Sequence, residues 1–207
     1  MTARVGTQLA SPETVTAPAV RRDDRILDIV VHLLQTEGYD AVQLREVARR
    51  ARTSLATIYK RYANRDELIL AALEFWMDEH HYAGLAEQTP APGECLYAGM
   101  MRVLRMIFQP WETHPDIVKA YFRARAAPGG QRLVHRGLDM VVPAAMEVLA
   151  GVEEDFIHDL DTVISSLVYG LVGRFTAGEI AITEILPSID RTVFWLIRGY
   201  EASRRAG

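Results

Sequence analysis

Between residues 52 and 65 the sequence crowds cations and hydroxyls together: Arg52, Ser54, Thr57, Tyr59, Lys60, Arg61 and Arg65. Such groups donate hydrogen bonds to phosphate oxygens, and the cations among them displace the counterions that a polyphosphate holds. The stretch contains no carboxylate pair, imidazole or thiol with which to make or break a bond. Its chemistry is therefore the gripping of an anionic surface, with Arg45 adding a further cation upstream.

The segment Leu44–Tyr62, LREVARRARTSLATIYKRY, reads as two short helices separated by a tight turn. Val47, Ala48 and Ala51 recur at the spacing of a buried helical stripe over about 44–51. The break falls at Arg52-Thr53-Ser54, where Thr53 or Ser54 can accept hydrogen bonds from the free N–H groups that open the next helix. That helix, over about 55–62, buries Ile58 with Leu55 and Tyr62, and turns Ala56, Thr57, Lys60 and Arg61 outward. Two helices joined this way can lay the second in a DNA major groove, and they can equally form a plain corner in a helical protein. The surrounding cations favour the first reading. Lys60 can then pair with guanine acceptors or contact phosphate only, and Thr57 can touch a thymine methyl.

The charge distribution is lopsided. Residues 21–65 hold ten Lys/Arg against six Asp/Glu, whereas residues 66–207 hold twelve against twenty, within a net charge of −4 for the 207-residue chain. A basic front on an acidic body suits a protein that meets phosphate with one end only. Cys95 is the single cysteine, so a reducing compartment is expected. There is no apolar run of the length that a membrane span needs, and residues 1–20 lack the apolar core of a secretion signal. A cytoplasmic protein with no membrane partner and no cofactor is the expectation.

An all-α fold of about nine helices follows from the rest of the pattern. Residues 1–20, rich in Thr, Ala and Pro, read as a disordered arm. A first helix over about 22–38 carries Ile26, Leu27, Val30, Leu33 and Leu34 inward and stops at Gly38. Asn64 caps a fourth helix reaching about Leu85, with Glu67 reaching back as in a capping box; it carries Trp76 and His80 inward. Further helices are expected over about 94–113, 115–127 (with Pro115 in its first turn), 131–150 (kinked or broken at Pro143), 153–178 and 184–204, the last capped by Thr183. The division is an arm at 1–20, a three-helix head with the helix-turn-helix at 21–65, and a helical body for ligand binding and dimerisation at 66–207.

In the body, aromatics and methionines recur at a spacing that fits either plain core or an adaptable apolar cavity. Trp76, Met101, Leu104, Phe108, Phe122 and Met140 are the candidate lining. Arg123 and Arg125 can receive an anionic headgroup at its mouth or stand as solvated surface arginines. The last two helices carry more apolar residues than one buried face requires. Ser166, Gly170 and Gly173 allow close helix approach, and Ile189, Val193, Leu196 and Ile197 form a second stripe, so these two helices from each of two protomers can build a four-helix interface. Catalysis finds no foothold. Neighbouring His80 and His81 point about 100° apart on a helix, the other histidines lack metal-ligand spacing, and no phosphate loop or nucleophile elbow is present. The rival reading is an all-helical lipid carrier or enzyme using the apolar cavity.

Residues 38–73, GYDAVQLREVARRARTSLATIYKRYANRDELILAAL from Gly38 on, resemble the DNA-binding region of TetR-family transcriptional regulators. The resemblance rests on Gly38-Tyr39, Val47-Ala48, Ala51, Ser54, Thr57-Ile58-Tyr59 and Asp66-Glu67-Leu68. Tyr39, Ala41-Val42-Gln43 and Arg45 look most like actinobacterial repressors of sterol degradation. The resemblance implies a homodimer bound to a duplex DNA operator and released by an apolar small-molecule effector such as a lipid or acyl thioester. It implies that Thr57 and Lys60 face bases or nearby phosphates, and that Ser54, Tyr59, Arg61 and Arg65 hold the DNA backbone. The chain departs from the family pattern at Arg52 and Ala56, where glycine is usual, and at Arg61, where histidine is common. Arg52 brings a side chain to a turn that asks for positive φ.

Overall fold

Ile26, Val30, Leu33 and Leu34 fall on one side of a 3.6-residue period, and in the computed structural model, which describes residues 22–82 and 93–206, all four are sealed from solvent. They define helix α1, Arg22–Thr36. It stops where the N–H groups of Glu37 and Gly38 both turn back to the Leu33 carbonyl, at 2.9 and 3.0 Å, and Gly38 takes φ 85°. Each aliphatic side chain buried in this way contributes about 1.5–3 kcal/mol. A short 3-10 turn, Tyr39–Ala41, leads into α2, Leu44–Arg50, and α3, Leu55–Tyr59. The first carries Val47 and Ala48 inward and the second Ile58, as the spacing predicts. Both are shorter than the sequence suggests, because hydrogen-bonded turns take over at Ala51 and Lys60.

Helix α4, Arg65–Met77, starts at Asn64, whose side chain accepts from the Glu67 N–H at 2.8 Å. Glu67 does reach back, but one residue further than expected: its carboxylate accepts from the Ala63 N–H at 2.5 Å rather than from Asn64. Leu68, Ile69, Leu73 and Trp76 are fully buried, so α4 belongs equally to head and body. A π-helical turn follows at Asp78–Tyr82. His80 there is exposed rather than internal, and its ring stacks on Trp76 at 4.5 Å.

Five further helices build the body: α5, Leu96–Thr113; α6, Pro115–Ala124; α7, Gln131–Val148; α8, Glu154–Thr176; and α9, Ile185–Ala206. Among the described residues there are nine α-helices and no strand. Pro115 opens α6 as expected. Pro143 does not break α7, which runs on through it with the proline exposed. Thr183 does not cap α9; it lies within a 3-10 turn at Ile182–Glu184, where the Glu184 carboxylate accepts from the Ala181 N–H at 2.7 Å. The expected disordered arm and the end of the long fourth helix near Leu85 lie outside the described residues. Helix α1 packs on α4 and α6, α5 on α7 and α9, and α8 on α9. One hydrophobic core therefore runs from Ile26 to Ile197. Helix α7 is the least covered, with only Leu133 buried and Leu138, Val142 and Met146 turned out on one side.

Candidate nucleic-acid interface

The turn between α2 and α3 is made entirely by backbone. The Arg52 N–H donates to the Arg49 carbonyl at 3.2 Å and the Thr53 N–H to the Ala48 carbonyl at 3.0 Å. These two bonds form a Schellman motif, which requires its central residue to be left-handed. That residue is Arg52, at φ 51°, the one non-glycine residue with positive φ among the described residues. The turn keeps the left-handed conformation that glycine would favour, and the exposed position carries a guanidinium instead.

Ser54 then caps α3. Its Oγ accepts from the Thr57 N–H at 3.0 Å and lies 2.8 Å from the Thr57 hydroxyl. The two hydroxyls thus sit together at the helix start, where the free N–H groups also favour an anion. Ile58 anchors the other side of α3 in the core, leaving Ala56, Tyr59, Lys60 and Arg61 exposed. Among the described residues Arg45, Arg52 and Lys60 form no ion pair, so three cations stand ready around α3. Arg49 and Arg50 are differently engaged. Both bind Glu46, and Arg50 also reaches Glu37 on the α1 side at 2.8 Å. Hydrogen bonds from Arg49 and Arg50 hold the Glu46 carboxyl down at about 2.

Arg65, expected to hold the DNA backbone, is engaged within its own chain. Its Nε donates to the Val42 carbonyl at 2.5 Å, its Nη2 donates to the Tyr39 carbonyl, and its guanidinium lies 4.9 Å over the Tyr39 ring. This ties the start of α4 to the turn before α2 as an internal brace. Arg123 shares the same turn from the body. It binds Asp40 through both terminal nitrogens, at 2.9 and 2.8 Å, and lies 4.3 Å over the Tyr39 ring. The hydrogen bond from Arg123 keeps the Asp40 carboxyl below its ordinary range. By sequence Arg123 fits a headgroup ligand or a solvated arginine; the structure gives it a partner in the head. Contacts across 83 positions carry no periodic signature in a sequence.

Among the described residues, the expected ligand lining does not gather around a cavity. Trp76, Met101, Leu104 and Phe108 are buried core, Phe122 is partly buried against Tyr169, and Met140 is 36% exposed on the outside of α7. A groove of about 680 Å³ lies elsewhere, between the start of α5 and the ends of α7 and α9, lined by Cys95, Leu96, Val148, Tyr200 and Arg204 among others. A second crevice, touching Phe108 and Trp111, is too tight to hold water.

The residues expected at a dimer seam divide. Ser166 and Gly170 are exposed, and a side chain added at Gly170 would meet nothing within 4 Å. Gly173 instead faces its own chain, since an added Cβ would stand 3.4 Å from the Phe122 ring. Ile189, Val193 and Ile197 are fully buried and Leu196 partly so, packed in the protomer's own core. The face of α9 left open carries Trp195, 70% exposed, which sequence reasoning missed. Val163 and Tyr169 are the matching exposed apolar groups on α8. The described helices include none long and apolar enough to cross a membrane, and the described residues include no cluster of three His, Cys, Asp or Glu placed to hold a metal.

Comparison with known proteins agrees with this architecture. The chain is 41% identical over 66 residues to an HTH-type transcriptional regulator of Mycobacterium tuberculosis, a match covering 32% of this chain and 33% of that protein. It is 31% identical over 103 residues to the HTH-type transcriptional repressor KstR of Rhodococcus jostii, covering 50% and 47% respectively. The matches thus span about a third to a half of the curated relatives. A crystal structure of a TetR transcriptional regulator from Rhodococcus sp. RHA1 superimposes with a TM-score of 0.64 at 19% identity, over 85% of this chain and 94% of that one. The family described as bacterial regulatory proteins, tetR family, matches residues 26–72, and the tetracyclin repressor-like C-terminal domain matches residues 93–196. With its capped helix-turn-helix in the first of these and its helical body in the second, the chain belongs to the TetR family of transcriptional regulators.

Proposed function

We propose that the protein is a transcriptional repressor that grips duplex operator DNA as a homodimer, with α3 of each protomer in a major groove. The observation that carries this is the face around α3, where three cations with no ion pair among the described residues and the paired Ser54 and Thr57 hydroxyls surround a helix start. In this reading Arg45, Arg52, Ser54, Tyr59 and Arg61 meet phosphates, while Ala56, Thr57 and Lys60 lie nearest the base edges. The similarity to the repressor KstR supports repression over activation. The seam between protomers falls on the open faces of α8 and α9, around Val163, Ser166, Tyr169, Gly170 and Trp195. Exposed aromatic groups of this kind are the usual anchors of an interface. The head comprises residues 21–65, and the body, from 66 onward, joins the protomers.

Family membership supports a small-molecule effector. An apolar one has to open its own site, because Trp76, Met101, Leu104 and Phe108 are close-packed. It would release DNA by favouring a conformation whose heads no longer match successive grooves, and a preference of about 2.7 kcal/mol for that state lowers affinity about a hundredfold.

The test is selection from a random duplex library, followed by titration of the selected operator. Wild type is expected to enrich a two-fold symmetric site. Lys60→Ala is expected to relax the preference at one position of each half-site. Recovery of no duplex, even at low salt, would refute the reading. Acyl thioesters and free lipids added to the preformed complex then test the effector.

A further inference from the structure

Two guanidiniums from different parts of the fold converge on one tyrosine. Arg65, at the start of α4, and Arg123, at the end of α6, both lie over the Tyr39 ring, at 4.9 and 4.3 Å. Asp40, the next residue, accepts both terminal nitrogens of Arg123 and stands 3.9 Å from Arg65. Arg65 also fixes the Tyr39 and Val42 carbonyls. The turn from which α2 and α3 hang is thus held on one side by its own domain and on the other by the body.

The packing of α1 on α6 resists separation of head from body, yet apolar contacts are non-directional and let two helices slide or pivot. A bidentate arginine–carboxylate pair differs because its two parallel bonds fix an orientation as well as a distance. We infer that the Arg123–Asp40 pair, steadied by Tyr39 and Arg65, sets the angle of each head on the body and thereby the half-site spacing the dimer accepts. This rests on the DNA-binding homodimer proposed above. Two heads must enter major grooves about one helical turn apart on the same face of the duplex, so a change of head angle on either protomer becomes a mismatch of spacing. Arg123 is on this account a positioning residue that touches no DNA. Exposed ion pairs contribute little to stability, so its loss frees the angle without unfolding the chain.

The experiment compares the operator selected by the wild-type protein with duplexes carrying one or two base pairs inserted or deleted at its centre. The readout is the ratio of affinities for native and altered spacing. A uniform change in charge moves both affinities together and leaves the ratio unchanged, whereas a freed angle lowers it. Arg123→Ala and, separately, Asp40→Asn are expected to lower the ratio about threefold to fivefold, the scale of one exposed pair. Melting temperature is expected to stay near wild type. The exchanged variant Asp40→Arg/Arg123→Asp is expected to recover part of the ratio, because the pair re-forms with its ends reversed. An unchanged ratio in both single variants, with affinity falling equally on all spacings, would overturn the inference and leave the DNA-binding reading standing. A wild-type protein that selects no duplex would end both.

Discussion

Replacing Arg52 by glycine should stabilise the protein and weaken its hold on DNA, two effects of opposite sign from one side chain. Arg52 sits at φ 51° in the Schellman turn, where a Cβ crowds the backbone and costs about 1–2 kcal/mol. Glycine removes that cost but gives back about 0.5–1 kcal/mol through the extra freedom of the unfolded chain. The net gain is about 0–1.5 kcal/mol, a rise of up to about 6 °C in melting temperature for a chain of this length. The side chain is exposed and has no ion-pair partner among the described residues, so its loss subtracts nothing else from the fold. On DNA each Arg52 that neutralises a phosphate contributes about 0.9 to the slope of log affinity against log salt, and two protomers contribute about 1.8. Between about 50 and 200 mM salt that difference in slope makes the advantage of wild type over the variant change about tenfold, largest at low salt. Thermal melts followed by circular dichroism, paired with anisotropy titrations at several salt concentrations, measure both. A lower melting temperature would refute the strain argument. A raised one with an unchanged salt slope would place Arg52 away from phosphate.

Ser54→Ala removes the α3 cap and should cost about 1 kcal/mol of stability, whereas Ser54→Asp keeps the cap and should abolish DNA binding through repulsion; equal affinities for the two variants would count against the docking. Glu46 has a carboxyl held at about 2, below the ordinary 4.5, so its pairs with Arg49 and Arg50 stabilise the head above pH 4.5 and are lost as pH falls toward 2. Glu46→Gln should therefore flatten acid unfolding in that window, and superimposable acid titrations of the two proteins would contradict it. Gly170→Arg should fold normally, since its side chain enters open space within the protomer, but should sediment as a monomer and lose operator affinity. A dimer of unchanged stability would move the seam off α8.

What the sequence discloses and what it hides follow from the range of the interaction. The stripe of α1, the caps at Ser54 and Asn64 and the proline that opens α6 are local, and each is readable within a few residues. Periodicity also finds the apolar bands of α9, but it cannot say which band goes inward. The strongest, Ile189–Val193–Ile197, is taken by the protomer's own core, which leaves Trp195 on the far side. Met140 misleads differently: seven residues, or about two turns, after Leu133, it shares that residue's face, but the body covers only the Leu133 end of α7 and leaves Met140 36% exposed. The family resemblance implies a phosphate ligand at Arg65, and only the folded chain brings the Tyr39 and Val42 carbonyls to it. Arg123 is further still from its partner in sequence, so nothing near it could announce Asp40.

The three tryptophans make an unequal set of reporters. Trp76 and Trp111 are buried, whereas Trp195 is open to solvent on α9. In a lone protomer the emission of Trp195 should be red-shifted and quenched by iodide, while the other two stay dark to the quencher. Burial against a second copy would shift that emission to the blue and shield it. Diluting the unlabelled protein while following its own fluorescence therefore yields a subunit dissociation constant directly, with Trp195→Phe as the silent control.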